Sequence, residues 1–344
     1  MGLTTDLGLL FVCSFLCTLL HAQDPETPGS DHTPTVAIDG LLYKLSKSTL
    51  TAMVANGNNW EGELVIPEQV TYDDETYTVD RIEWIAFEGS KSLTKVTIPK
   101  TVKTIKHYAG WDDCKNPFVR CTSLKQIEVD EENPSMCSVE GVLFSKDKTQ
   151  LYCYPAGAEQ ETYRIPEGVT WIGGDAFAYN PYLFSVQMPN SVTHMSFGTF
   201  SNCKKLSSVS ISENVNFIAA YTFERCESLS LLDIPAGVEG FEESVFRWSP
   251  IKEIVIRGTF PRGLRDDTFY FMDDNVVAYV QKSEIEKFKE VFPGKVLSLE
   301  TYSTSLMERG NGSVSKHPSY DLQGRRSDSS HGVYIRDGRK VVVK

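Results

Sequence analysis

Six histidines, eight cysteines and an excess of carboxylates are the groups in this chain that could carry acid–base, nucleophilic or metal chemistry. Their spacing assembles none of it. A His-Glu-x-x-His pair would put two imidazoles on one helical face for zinc, a glycine-rich loop would cradle phosphate, and Gly-x-Ser-x-Gly would raise a serine nucleophile on a strand-to-helix turn. None of the three occurs, and no Cys-x-x-Cys pair argues for a zinc site. His21 and His32 lie near the N-terminus, and His194, just after Val192, reads as a surface or corner histidine. The acidic run Asp73, Asp74, Glu75 lacks the Asp-x-Asp-x-Asp-Gly pattern of a calcium loop and reads as a solvated turn. The expectation is a protein that is not an enzyme and needs no cofactor.

The chain has 344 residues, a net charge of −12 and 41% hydrophobic residues, enough for a sizeable core and too acidic for adhesion to nucleic acid. Its organising feature is a pattern that returns every 23 residues: Val169, Val192, Val215 and Val238, each followed three positions later by Ile172, Met195, Ile218 or Phe241. A small residue and a phenylalanine come next (Ala176-Phe177, Thr199-Phe200, Thr222-Phe223, Val245-Phe246), then Cys203 or Cys226, then Leu183, Leu206 or Leu229. A strand signal closes each copy, as in Val186-Gln187-Met188-Pro189 and Leu232-Asp233-Ile234-Pro235. Two apolar residues flanking a polar one predict alternation with the middle side chain in water, and the proline ends pairing at the corner. The Phe–Cys–Leu spacing predicts a short helical turn that drops these side chains into a shared interior. Self-similarity at this period marks a solenoid whose turns are stable only through their neighbours.

The motif V-x-x-I-x-x-x-A-F-x-x-C-x-x-L-x-x-V-x-I-P resembles the BspA-like leucine-rich repeat family of bacterial surface proteins. The resemblance implies a leucine-rich repeat solenoid, mainly β with short helical turns and capped at both ends, and attachment to host matrix or cell-surface proteins. It also implies a buried small apolar residue where Cys203 and Cys226 stand. A free core thiol is the favoured reading there and a stacked disulfide the alternative. Cys121 shares that inward position, and a Cys114–Cys121 bridge stays open.

Along the chain, the apolar run ending near Ala22 predicts a signal peptide at 1–22, with a Pro-, Asp- and Thr-rich disordered leader at 23–35. An N-terminal cap with a first partial repeat follows at 36–78, the solenoid at 79–257 and a C-terminal cap at 258–300. In that cap Val276 to Val280 reads as the terminal strand, and Ser283 with Glu286 as the capping box of a helix. Residues 301–319 read as a linker, and 320–344 as a β-tail resembling the sorting or anchoring tails of Bacteroidota proteins, with Asp337-Gly338 as its two-residue turn. Export places the protein in the medium or on the cell surface, at the outer membrane of a Gram-negative cell; membrane association comes only through export or anchoring.

Function therefore falls to the surface. The outward strand positions Lys95, Thr97, Glu128, Arg164, Gln187, Ser210 and Asp233 form a mixed polar ribbon suited to a protein partner. One rung is enlarged between Ile105 and Phe118, and its Trp111 is a further ligand-binding candidate. Trp84, Tyr182, Phe184 and Trp248 are possible anchors or packing residues. The expectation is a non-catalytic, surface-displayed protein-binding or adhesion module; the alternative is a glycan-binding surface protein.

Overall fold

The computed structural model describes residues 35–57, 60–106, 116–259, 266–269, 272, 274–303 and the strands of the tail at 319–321, 326–327, 332–336 and 339–343. The segment read as a signal peptide, the leader up to 34, and residues 107–115 with Trp111 and Cys114 lie outside the described residues.

Inward residues of the repeat are excluded from solvent: Val169, Ile172, Phe177, Leu183 and Val186 are all 0% exposed. No single turn of chain can hide such a face, so equivalent segments pair in parallel. On the long ladder Ser185, Val186 and Gln187 lie opposite Ser208, Val209 and Ser210, and Leu231 to Ile234 lie opposite Glu253 to Ile256. On the short ladder Trp171-Ile172 pairs with His194-Met195, and Phe217-Ile218 with Gly240-Phe241. Side-chain bonds repeat between rungs at a separation of 23 residues, as in Thr193 Oγ1 to the Thr170 carbonyl. Between the ladders the phenylalanines stack: Phe177–Phe200 at 5.2 Å, Phe200–Phe223 at 5.7 Å, Phe223–Phe246 at 6.2 Å and Phe246–Phe269 at 5.9 Å.

The segment holding these rings is not the helical turn expected from its spacing. It is a chain of tight turns bounded by left-handed residues, Asp175 (φ 54°) and Tyr179 (φ 64°), a pair that recurs as Tyr221/Arg225 and Ser244/Trp248. Its amides are spent on the neighbouring rung: Asp175 N donates to Phe197 O, Phe177 N to Thr199 O and Tyr179 N to Ser201 O. An α-helix would need those donors for its own i−4 carbonyls, and the ladder takes them instead.

At the N-terminal end Val36–Ile38, Leu41–Ser46 and Thr51–Val54 form an antiparallel meander. Gln69–Tyr72 and Glu75–Glu83 form a hairpin. Its turn residues Asp73 (φ 49°) and Asp74 (φ 62°) are exposed and left-handed, the geometry of a type I′ turn. The array is interrupted by the antiparallel strands Met136–Val139, Val142–Ser145 and Gln150–Cys153, the last of which joins the short ladder beside Trp171-Ile172.

At the C-terminal end Val277–Val280 is not the terminal strand, because Lys295–Ser298 pairs beyond it in parallel. The helix Ile285–Lys289 buries Phe288, but the capping box does not form. Ser283 lies inside a 3-10 turn, Lys282–Glu284, and its hydroxyl donates to Glu284 Oε1 at 3.2 Å, so it never reaches a first-turn amide. The helical stretch 299–303, where a linker was expected to begin, buries Tyr302 against Tyr279. In the tail Gly332–Arg336 pairs antiparallel with Arg339–Val343, Arg336 opposite Arg339.

Candidate interaction surface

Strand alternation sends Val96 and Ile98 into the core and leaves Lys95 and Thr97 on the outer face of the long ladder. Across the next strand Lys95 Nζ pairs with Glu128 Oε1 at 2.8 Å, and Gln126 Nε2 donates to the same oxygen at 2.9 Å. The bond to Glu128 holds the Lys95 ammonium above its ordinary pKa, against a smaller opposing effect of desolvation. Arg164 and Ser210 are exposed further along, on the two strands that flank Gln187.

Two expected ribbon residues are placed otherwise. Gln187, expected in water, is 6% exposed, and its Nε2 has no hydrogen-bond partner among the described residues. Its neighbour Ser208 is buried as well. Asp233 is half-buried and bound by both arms of one guanidinium, Arg257 Nε to Oδ1 at 2.7 Å and Nη2 to Oδ2 at 2.6 Å. That fork–fork geometry occupies the carboxylate. Beyond Asp233 the outer face turns apolar, and Val255 and Tyr279 are covered by Tyr302.

The ribbon is open at its N-terminal end. There the strands Glu61–Val65, Ser92–Ile98 and Gln126–Val129 lie side by side, and a groove of about 700 Å³ runs over their C-terminal corners. Val65, Ile66, Pro67, Pro99 and Val129 supply its apolar surface. Thr97 and Glu128 lie in it, together with Glu68, Asp130, Glu131, Glu132 and, from the inserted antiparallel strands, Ser138. Ser138 Oγ accepts from Val129 N at 3.1 Å and ties that wall to the ladder. Of the seven ribbon residues singled out from the sequence, the structure brings Thr97 and Glu128 together here, with Lys95 bound to Glu128; Arg164, Gln187, Ser210 and Asp233 lie farther along. Val65, 68% exposed, and the acids after Val129 were missed, although the run Asp130-Glu131-Glu132 was visible beside a strand end.

A second surface follows the left-handed turns. Arg225 and Arg247 lie over the Trp248 ring at 4.2 and 3.8 Å, and Arg120 lies over Tyr179 at 5.1 Å while pairing with Glu88 at 3.3 Å. Asp175, in the same row, is raised to about 7, chiefly by burial, with Glu88 and Glu224 adding to the rise and Arg120 opposing it. His194 is exposed and stacks on Trp171 at 6.3 Å with the rings nearly parallel, whereas Trp84 packs against the N-terminal core.

The cysteines are not inert filler. Among the described residues Cys121, Cys153, Cys203 and Cys226 are buried free thiols and Cys137 is a half-buried one, so the stacked Cys203–Cys226 disulfide is not formed; the Cys114 of the Cys114–Cys121 reading lies outside the described residues. Cys121 Sγ donates to Phe87 O at 3.0 Å, Cys203 to Phe177 O at 3.0 Å and Cys226 to Phe200 O at 3.3 Å. The Ser249 hydroxyl makes the equivalent bond, donating to Phe223 O of the preceding rung. Burial pushes the Cys121 and Cys203 thiols up to about 12. Among the described residues no group of three or more His, Cys, Asp or Glu is placed to hold a metal ion.

A family model for the BspA type leucine rich repeat region matches residues 69–133 and 147–272 in 6 copies. No curated protein matches the chain. Among solved structures, the pneumococcal vaccine antigen PcpA is 19% identical over 77% of this chain and 98% of its own, with a TM-score of 0.45. A leucine-rich repeat protein of Bacteroides ovatus is 24% identical over 76% of this chain and 67% of its own, TM-score 0.42. A leucine rich cell surface protein of Faecalibacterium prausnitzii is 18% identical over 78% and 95%, TM-score 0.42.

Proposed function

Because the chain belongs to the BspA-type leucine-rich repeat family, we propose that it is an exported, surface-displayed protein-binding module. It is built as one capped solenoid of 23-residue turns, and it adheres through the outer face of its long ladder. The observation that carries this reading is the asymmetry of that face. Its C-terminal half is closed by the chain's own Tyr302 and by the Asp233–Arg257 pair, while its N-terminal half presents Val65, Thr97 and Glu128 in an open groove. Exposed apolar surface rimmed by polar groups is how partner sites are built. The hairpin of the β-tail supports a sorting role at an outer membrane. The glycan reading has weaker support: guanidinium groups sit over the exposed Trp248 ring where a sugar would stack.

The test is binding of the full chain to matched arrays of matrix proteins and glycans, with Thr97→Trp and Ser210→Trp as bulky obstructions at two points of the ladder. Saturable protein binding that either obstruction weakens supports the reading. Binding confined to glycans and indifferent to both obstructions overturns it.

A further inference from the structure

We propose that the groove at the N-terminal end of the long ladder takes an extended, basic protein segment, in which lysine or arginine side chains alternate with apolar ones. This names the partner chemistry of the surface proposed above and rests on that reading. The groove is floored by aliphatic and proline side chains, and its outermost floor residue, Val65, is 68% exposed on a strand whose neighbour Leu64 is buried. Five carboxylates ring that floor: Glu68, Glu128, Asp130, Glu131 and Glu132. Among the described residues three cations answer them from the protein itself, Lys95 on Glu128 at 2.8 Å, Lys100 on Glu132 at 2.6 Å and Lys146 on the Glu131 carbonyl oxygen at 2.8 Å. The remaining charge is negative, in a concave site where field lines are focused and counter-charges collect.

The shape selects an extended occupant. Floor residues Val65 and Thr97 are paired across adjacent parallel strands, so contact points recur at the strand spacing of roughly 4.8 Å. An extended chain places same-side residues about 6.6 Å apart, close enough to set one apolar side chain against Val65 and cations against the rim. The occupant lies across the ladder and does not extend its edge. Edge strand Glu61–Val65 carries Glu61 and Glu63 and a register shift at Gly62 (φ 68°), devices that discourage strand addition.

The experiment measures binding of the peptide acetyl-Lys-Val-Lys-Val-Lys-Val-Lys-amide to the full chain by fluorescence anisotropy at 50 and 150 mM salt. An acidic analogue with Glu in place of Lys is the reference. A net charge of −12 attracts any cation, so position is tested against charge. Glu128→Gln/Glu131→Gln is expected to weaken binding about tenfold, whereas Glu227→Gln/Glu286→Gln, on exposed sites elsewhere, changes it less than about twofold. Val65→Ser, which leaves the charge unaltered, is expected to cost about threefold. Lys95→Gln releases Glu128 and is expected to strengthen binding, an outcome that damage to the fold cannot imitate. Equal losses from the two double variants, or weaker binding by Lys95→Gln, overturn the proposal. If the peptide fails to bind while array binding is still blocked by Thr97→Trp or Ser210→Trp, only the basic-segment assignment falls and the protein-binding reading stands.

Discussion

Cys203 offers a direct test of how the rungs are held together. Its side chain is fully buried, and its thiol reaches the carbonyl oxygen of Phe177 in the preceding rung at 3.0 Å. Cys203→Ser preserves a donor of similar size, and Ser249 already performs the same task on Phe223 O. Cys203→Ala removes the donor and leaves a void. An unsatisfied buried carbonyl costs about 1–3 kcal/mol, and the lost sulfur contacts add about 1 kcal/mol more, so the alanine variant is expected to lose about 2–4 kcal/mol. The serine variant is expected to lose less than about 1 kcal/mol. For a chain of 344 residues, with an unfolding entropy of about 2.1 cal/mol/K per residue, the alanine loss lowers the melting temperature by roughly 3–6 °C. Thermal and urea unfolding followed by circular dichroism provide the assay. If the thiol were only a small apolar filler, the order would reverse, because a serine hydroxyl without a partner is costlier to bury than a methyl group. Serine less stable than alanine would therefore refute the hydrogen-bonding role.

Further expectations follow from the same geometry. Cys121 and Cys203, held at about 12, should resist iodoacetamide at pH 8 in the folded protein, while half-buried Cys137 reacts before them; site-resolved mass spectrometry after timed quenching reads the order. Early labelling of Cys203 would contradict its burial. Asp175 has a folded pKa of about 7, above its unfolded value near 3.9. Its stabilising contribution is thus complete below about pH 4 and is lost as pH rises through about 7. Asp175→Asn should accordingly gain melting temperature relative to the parent between pH 5 and pH 8, and a difference that does not change with pH would dismiss the coupling. A Cβ at Gly237 would lie 2.1 Å from the Glu213 carbonyl oxygen of the preceding rung, so Gly237→Ala should cost at least about 2 kcal/mol in urea unfolding. A cost near zero would mean that the rungs are free to separate there.

The parts of this molecule that repeat were legible, and the parts that depend on one neighbour were not. Val169, Ile172, Phe177 and Leu183 announce their burial because each sits on a period that only a shared interior explains. The turn around Phe177 shows the limit of spacing: apolar residues three apart suit a helix and a series of tight turns equally. What decides is the left-handed backbone at Asp175 and Tyr179, which no glycine marks in that rung, although Gly198 (φ 60°) and Gly89 (φ 75°) mark the equivalent positions of two others. Gln187 is outward by alternation and still buried, and Asp233 meets an arginine 24 residues away. No local rule predicts either, and the group that binds Asp233 arrives from another rung. Lys295–Ser298 was missed for a related reason: its alternation is short, and its strand character comes from Val277–Val280 beside it. The groove follows the same logic. Val65, Thr97 and Glu128 occupy one outward row on three neighbouring strands, but they become a concave surface only because the insertion after Asn133 folds back and Ser138 joins Val129. A ladder alone would present a flat ribbon. The interruption of the repeat supplies a wall, so the place where the periodicity fails is where the surface acquires shape, and a partner able to recognise one member of a repeat family must read that shape.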